Sequence, residues 1–350
     1  MHDLPGYTID HYVDGFADTP IGPVPRVATS LVLLDHLGTI RARTGIARNM
    51  YKINPGLYCV GEPTPDSPVL VTANYKLSMD TLRKELTGIN AYILVADTRG
   101  INVWCAAGKG TFSASEIALQ VKRSRLAEIV SHRELILPQF GAVGVASHKL
   151  KKLCGFKGVY GPLRAKDIPT FLRNGKKADE SMRTVTFTTA ERLVLVPVEI
   201  ALIWKVFLLV TMGIFAISGF GPDIYSLRAS WSRGLIATGA TIFAIVSGAL
   251  VTPLLLPWIP GRQFWFKGVL IGLPAALAYI FSISFPGILV SISLTLWIVA
   301  VASYIAMNFT GATPFTSLSG VEKEMRNGLA LQCTGIFLAL TLWVIGPFVS

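Results

Sequence analysis

Charge is what the second half of this sequence lacks. Of 32 Lys and Arg and 21 Asp and Glu in 350 residues, only seven basic and four acidic residues follow position 192. An ionised group at the centre of a bilayer costs several kcal/mol, so this depletion of both signs speaks against an ordinary soluble domain and for a membrane one. Cysteine is scarce as well. Cys59, Cys105, Cys154 and Cys333 form no CxxC pair, which argues against a structural zinc site and against an iron–sulfur cluster held by this chain alone. The opening "MHDLPGYTID" has neither the basic start nor the apolar core of a signal peptide. The N-terminal half is therefore expected in the cytoplasm, where a reducing milieu keeps thiols free.

What is present is apolar: 51% of residues are hydrophobic and 15% are charged. Five runs, at 193–218, 234–258, 266–284, 287–307 and 328–349, are each long enough for a hydrocarbon core of ~30 Å. The formal charge of +11 raises the question of nucleic acid, and its distribution answers it. Between 149 and 192 lie 11 basic and four acidic residues, directly before the first apolar run. Lys and Arg collect there on the cytoplasmic side of membrane proteins and are drawn to anionic lipid, so the expected partner is membrane lipid and not nucleic acid. With the N-terminal domain inside, the inner connections hold Arg262, Lys267, Lys323 and Arg326, the outer ones Arg228 and Arg233, and Ser350 falls outside. Glu199 and Lys205 in the first run are either a polar site within the bundle or an interfacial pair with Lys205 snorkelling. Their spacing of six puts them on different helix faces. The loop "NFTGATPFTSLSG", 308–320, is either a polar turn or a docking surface.

Before residue 192 the text alternates. Residues 1–54, rich in Pro, Gly and Asp, are expected to form an irregular arm with a short strand at "TSLVLLD". Strands are expected at "GLYCVG", "PVLVTA", "AYILVAD", "INVWC", "ELILP" and "FKGVYG". Helices are expected at "SMDTLRKELTG" (Ser78 as N-cap, Gly88 as stop), "SASEIALQVKRSR", "GVASHKLKKL" and "AKDIPTFLRNG", the last stopping at Gly175. Such alternation implies an α/β layer sandwich with a largely parallel sheet, which binds ligands at the carboxyl ends of its strands. The expected division is a soluble α/β domain at 1–188 and an all-α transmembrane domain of five helices at 189–350.

Cys105, in "GINVWCAAGKGTF", is expected at the end of a strand and just before a helix, whose N-terminus favours a thiolate. Ala106, Ala107 and Gly108 remove bulk beside it, so something broad and flat has room to approach. Under a flat macrocycle the thiolate is an axial metal ligand; in an open pocket it is a nucleophile; packed inside, it is a small apolar residue. Lys109 and Gly110 raise a phosphate-loop alternative, but GxxxxGK[ST] is absent. His132 and His148 are expected as surface or helix residues, and with no DxHxxG motif a histidine ligand to cobalamin is not indicated.

"NVWCAAGK", followed in order by "HRELILPQFGAVGVA", "YGPLRAKDI" and five apolar runs, and preceded by "PVLVTANYKLS", resembles the HgcA family, the corrinoid proteins of the microbial mercury-methylation pair. The resemblance covers the chain from about residue 49 onward. The soluble part is also similar to the corrinoid domain of the corrinoid iron–sulfur protein of the acetyl-CoA pathway. The resemblance implies a Rossmann-like corrinoid-binding domain holding a cobalamin-type cofactor, with Cys105 facing cobalt from below. It implies that Asn102, Val103, Trp104, Ala106, Ala107, Gly108 and Lys109 form the helix beside the corrin and its lead-in. Thr72, Asn74 and Tyr75 would supply polar contacts, and Gly141, Ala142, Gly144 and Gly161 (between Tyr160 and Pro162) close backbone approach. Val103 and Trp104 also fit as core residues, and each glycine as an ordinary turn residue. No function is attached to Cys154 or Phe140.

The implied activity is methyl transfer to Hg(II) as a corrinoid-dependent methyltransferase producing methylmercury. A thiolate trans to the methyl is a strong electron donor, and its softness matches a mercury substrate. The family's partner is ferredoxin-like HgcB, an electron donor with two 4Fe–4S clusters, and the methyl group comes from a donor system of one-carbon metabolism. A membrane-anchored corrinoid methyl carrier of one-carbon metabolism is the alternative. A transporter is the reading from another class, and it predicts more paired charges or broken helices in the spans than the sequence contains.

Overall fold

The computed structural model describes residues 10–313, 316 and 318–349, without the side chains of 49, 312 and 318. The first nine residues of the expected arm, part of the 308–320 loop and Ser350 lie outside that set. The chain divides into two compact units, one of residues 1–42 and 46–185 and one of 43–45 and 186–350.

The first unit is built on a seven-stranded sheet in the order β1-β2-β3-β5-β4-β6-β7. Its strands are β1 Val13–Thr19, β2 Gly22–Val27, β3 Gly56–Val60, β4 Val69–Ala73, β5 Ala91–Ala96, β6 Glu134–Leu137 and β7 Lys157–Tyr160. Only β5-β4-β6-β7 form a continuous parallel block; β1 pairs with β2, and β3 with β5, antiparallel. The sheet is thus mixed where a largely parallel one was expected. All five residues of β4 and all six of β5 are buried, because helices cover both faces, as apolar parallel strands require.

Helices α1 Leu33–Arg43, α2 Lys76–Arg83, α3 Val103–Gly108, α4 Ala114–Arg123, α5 Leu126–Ile129, α6 Ser147–Cys154, α7 Ile168–Arg173 and α8 Glu180–Arg183 complete the unit. One core joins Val69, Val71, Leu94 and Leu135 to α3, α4 and α6 through Ala106, Ile117 and Leu150. The other joins Leu70, Ile93 and Ile136 to α2 and α7 through Met79, Leu82 and Phe171. The parallel block therefore reads 2-1-3-4 in its own strand order: β4 leaves toward one face and β6 toward the other. Open α/β sheets bind their ligands at such a reversal, here the carboxyl ends of β4 and β6.

Three expectations are corrected here. The arm before residue 54 is a β-hairpin followed by α1, and "TSLVLLD" runs into that helix instead of forming a strand. Prolines 23 and 25 in β2 disguise a strand that lies next to the sheet edge. Helix α2 begins at Lys76 behind Tyr75, so Ser78 is inside it and not its cap. "INVWC" is not a strand: Asn102 caps α3, and its side-chain oxygen accepts the Cys105 N–H at 2.9 Å, a local bond that outweighs the β-propensity of Ile, Val and Trp.

The second unit contains five helical stretches long and apolar enough to cross a membrane: Thr189–Ser218, Leu227–Leu255, Phe264–Ser282, Ile288–Gly311 and Ser319–Val349. Small residues bring the third and fourth together: a Cβ on Gly268 would lie 2.6 Å from the Ser303 Cα. Glu324 in the fifth accepts the N–H groups of Phe264 (2.9 Å) and Trp265 (3.2 Å), closing the free amino end of the third. Lys205 lies 5.7 Å from the centre of the Trp204 ring.

Candidate functional site

The carboxyl ends of the parallel strands collect most of the residues singled out in the sequence. Asn74 and Tyr75 follow β4, residues 102–109 follow β5, Gly141, Ala142 and Gly144 follow β6, and Gly161 and Pro162 follow Tyr160, the last residue of β7. Helix α3 rests against β4 and the turn at Gln139–Gly141.

Cys105 is the third residue of α3 and is half-buried. Among the described residues its thiol has no hydrogen-bond partner, and no group of three His, Cys, Asp or Glu is placed to hold a metal ion. The helix is short because the chain doubles back at once. The Ala106 carbonyl accepts from both Thr111 N (3.0 Å) and Phe112 N (3.1 Å), with Gly110 at φ +77° between. Phe112 then enters the core completely. Trp104 and Phe140, both half-buried, set their rings 6.5 Å apart beside the thiol's helix. Gly108 faces open space: no heavy atom lies within 4 Å of where its Cβ would be.

Asn74 holds the loop that leads to this helix. Its side-chain oxygen accepts from Thr98 N (3.0 Å), Thr98 Oγ1 (2.9 Å) and Gly100 N (2.9 Å), and its amide donates to Asp97 Oδ1 (3.0 Å). The turn it braces passes through two left-handed residues, Arg99 (φ 60°) and Gly100 (φ 76°). Asn74 thus acts on the thiol's position through the 97–100 turn. Asp97 and Thr98 escaped notice in the sequence; the only signal was "DTRG", a turn composition.

Gly141 and Gly144 serve the helix side of the site. A Cβ on Gly141 would lie 2.5 Å from the Phe112 ring, and one on Gly144 would lie 2.2 Å from the Phe112 carbonyl oxygen and 3.0 Å from Ala107 Cα. Their bareness lets the 139–146 segment press on the end of α3. Between them Ala142 is half-buried and Val143 points outward. Tyr160 donates its hydroxyl to the Val145 carbonyl, tying β7 to the same segment, and Gly161 N donates to Leu137 O at 2.8 Å.

Two predicted residues are not brought to the thiol. Thr72 is buried on the Leu70 side of β4, whereas α3 packs on the Val69 and Val71 side. The Tyr75 ring meets Tyr51 edge-on at 6.5 Å and lies under Arg48 at 6.0 Å. The other thiols sit in different settings. Cys59 is fully buried, and burial pushes it up to about 11; burial also raises Cys154, whose sulfur donates to Leu150 O at 3.3 Å. His132 bonds to the Ser67 carbonyl at 2.9 Å, and His148 lies in α6.

Comparison with known proteins singles out this unit. Residues 40–172 match the model of the CO dehydrogenase/acetyl-CoA synthase delta subunit family. The chain is 31% identical over 127 residues to an acetyl-CoA decarbonylase/synthase complex subunit gamma of Archaeoglobus fulgidus, covering 36% of this chain and 27% of that protein. It is 36% identical over 116 residues to the corrinoid/iron–sulfur protein large subunit of Moorella thermoacetica, covering 33% of this chain and 26% of that protein. The chain thus spans about a quarter of the length of the curated relatives it matches.

Proposed function

We propose that this chain is a membrane-anchored corrinoid protein that passes a methyl group to Hg(II), and that the Cys105 thiol would hold the cobalt of its corrinoid. The single observation that carries the reading is the half-buried thiol of Cys105, without a hydrogen-bond partner among the described residues, on a capped helix that follows the carboxyl end of β5. The relatives support the corrinoid: one is a corrinoid/iron–sulfur protein large subunit, and the family model that matches residues 40–172 takes in Cys105. The "NVWCAAGK" motif and the five apolar helices support the narrower assignment to mercury.

The residues present fit such a group. The donor is a soft sulfur, suited to cobalt in a way that an oxygen set is not. Beside it Gly108 is open and the half-buried rings of Trp104 and Phe140 offer flat apolar surface, while Ala106 and Ala107, expected to clear room there, are buried in the core instead. When bound, a methylated corrinoid supplies a cobalt–carbon bond from which the methyl group is transferred. The chain's part is to hold the sulfur still and electron-rich. Asn102 fixes the Cys105 backbone, Asn74 fixes the loop before it, and Gly141 and Gly144 let Phe112 and Ala107 seat the helix from behind.

On this reading the α/β unit lies on the cytoplasmic side, an iron–sulfur donor of the HgcB type supplies electrons, and Ser350 emerges outside. A reporter active only outside, fused after Ser350, tests the orientation; activity after Gly261 instead reverses it. A second reading, a methyl carrier of one-carbon metabolism without mercury chemistry, is favoured by the acetyl-CoA decarbonylase/synthase relatives. Two measurements separate them. The visible spectrum of the purified full chain should show corrinoid bands, and cells should methylate Hg(II) only when they carry the chain. Corrinoid bands without mercury methylation select the second reading; absence of corrinoid removes both.

A further inference from the structure

Helix α1 is mounted inside out. Its inward side carries Asp35 and Ala42, both buried, and half-buried Gly38, while Leu33, Leu34, Leu37 and Ile40 are 72%, 61%, 47% and 58% exposed. At 100° per residue, positions 33, 37 and 40 share one stripe, with 34 on its flank and 35 and 42 opposite. The turn that follows adds Ile46 and Met50, 60% and 78% exposed.

This orientation is imposed and not incidental. Asp35 accepts from Lys76 Nζ at 2.5 Å, Arg83 Nη2 at 2.7 Å and Val32 N at 3.0 Å, and is 2.8 Å from His11 Nε2. Lys76 and Arg83 are themselves buried and also bind Asp80, at 2.7 and 2.8 Å. Rotating α1 to hide its leucines would strip Asp35 from two buried cations. Gly38 closes the fit, since a Cβ there would lie 2.5 Å from the Tyr51 ring. The apolar face is therefore held outward by charge.

Apart from buried Asp35, the stretch of sequence that carries that face and the turn after it has charge of one sign. From His36 to Gly61 the sequence contains no Asp or Glu, but it contains Arg41, Arg43, Arg48 and Lys52. A leucine face within a basic segment is the pattern of a helix lying in the plane of an anionic bilayer.

We propose that α1 is an interfacial helix whose Leu33–Leu34–Leu37–Ile40 face inserts among the headgroups of an anionic membrane. The proposal rests on the membrane reading of the second unit and is independent of the corrinoid. The five apolar helices of the same chain keep α1 close to a bilayer at high effective concentration, so a single short helix is enough for a lasting contact.

The test uses the full chain in lipid nanodiscs with a photoreactive benzoylphenylalanine replacing Leu37, Leu209 or Lys122 in separate preparations. Leu209, 69% exposed in the first apolar helix, reports that the chain is in the bilayer, and exposed Lys122 in α4 reports background. Phospholipid adducts are expected at 37 and 209 and not at 122. Replacing phosphatidylglycerol with phosphatidylcholine should reduce the adduct at 37 by about fivefold for each arginine engaged and leave the one at 209 unchanged. Leu37→Glu, with the probe moved to Leu34, should abolish the lipid adduct without changing the thermal midpoint, because the side chain is exposed. Lipid adducts at 209 beside only peptide adducts at 37, to a second copy or another segment, overturn the proposal while sparing the membrane reading. A yield at 37 indifferent to lipid charge overturns it too. Failure at 209 removes both.

Discussion

Two polar constellations lie on opposite faces of the same sheet, and they are built on opposite rules. On the α2 side, Asp35, Lys76, Asp80 and Arg83 are buried and bond one another. Burial alone would raise the Asp35 carboxyl; hydrogen bonds from Lys76, Val32 N, His11 and Arg83 outweigh it and hold the group below the ordinary carboxylate range. On the α3 side, Cys105 is half-buried, and its thiol has no hydrogen bond among the described residues, while its backbone is fixed by Asn102. The first arrangement spends its hydrogen-bonding capacity internally and so stabilises a shape. The second leaves one reactive atom unspent on a rigid mount, which is what ligation of an added group requires.

Breaking the closed constellation should have the largest effect. Asp35→Ala leaves Lys76 and Arg83 with one carboxylate between them, and should lower the stability of the α/β unit by about 3–5 kcal/mol, read from its denaturation midpoint. The pH dependence follows the same bonds. Because the folded-state value of Asp35 is depressed, its contribution is complete above an unfolded-state value of about 3.9 and is lost as pH falls through the folded one. The midpoint should drop below about pH 4, and Asp35→Asn should flatten that acid limb. If stability is unchanged in both variants, the cluster is not the clamp described.

Opening the other constellation should cost activity and not stability. Cys105→Ala should leave the midpoint within about 1 kcal/mol and, on the proposed function, reduce methyl transfer to Hg(II) by about 100-fold, equal to a barrier rise of about 2.7 kcal/mol. The corrinoid should remain bound with a shifted visible spectrum. Cys105→His should restore binding more fully than transfer, since imidazole also ligates cobalt but donates less. An unchanged spectrum and full activity in the alanine variant would reduce the thiol to a packing residue.

Asn102→Ala tests whether the mount matters. Loss of the cap should cost about 1 kcal/mol and lower transfer by a smaller factor than Cys105→Ala, with Asn102→Asp rescuing both. The smallest effect is a matter of timing. At pH 8 an alkylating reagent should modify Cys105 in the folded protein before Cys59, whose thiol is buried and pushed up to about 11. Mass mapping of the first modified peptide checks this, and simultaneous labelling would contradict the contrast in access.

The two constellations also differ in how far they could be read from sequence. Cys105 announced itself by composition, as a thiol before Ala, Ala and Gly, and by the motif around it. The strands from β3 to β7 and helices α2, α4, α6 and α7 followed from alternation and turn residues, and the five apolar helices from length alone. The charge cluster was hidden because Asp35 reaches Lys76 and Arg83 across 41 and 48 positions, and no local pattern encodes that. It also hid α1, whose inward stripe of Asp35, Gly38 and Ala42 defeats any search for an apolar inner face. Within the site, Val103 and Trp104 suggested a strand by their propensity, while the deciding bond came from Asn102 three residues before Cys105.

Gly144 and its neighbour show how little of the thiol's placement is negotiable. Any side chain at 144 collides with the Phe112 carbonyl oxygen and the Ala107 Cα, main-chain atoms that cannot swing aside as a rotamer would. One position earlier, Val143 is 83% exposed. Adjacent codons thus stand at the two ends of mutational tolerance, one admitting almost any amino acid and the other only the smallest. The location of the sulfur is in this sense written into the main chain, and sequence drift can reshape the rim of the site freely without moving its centre.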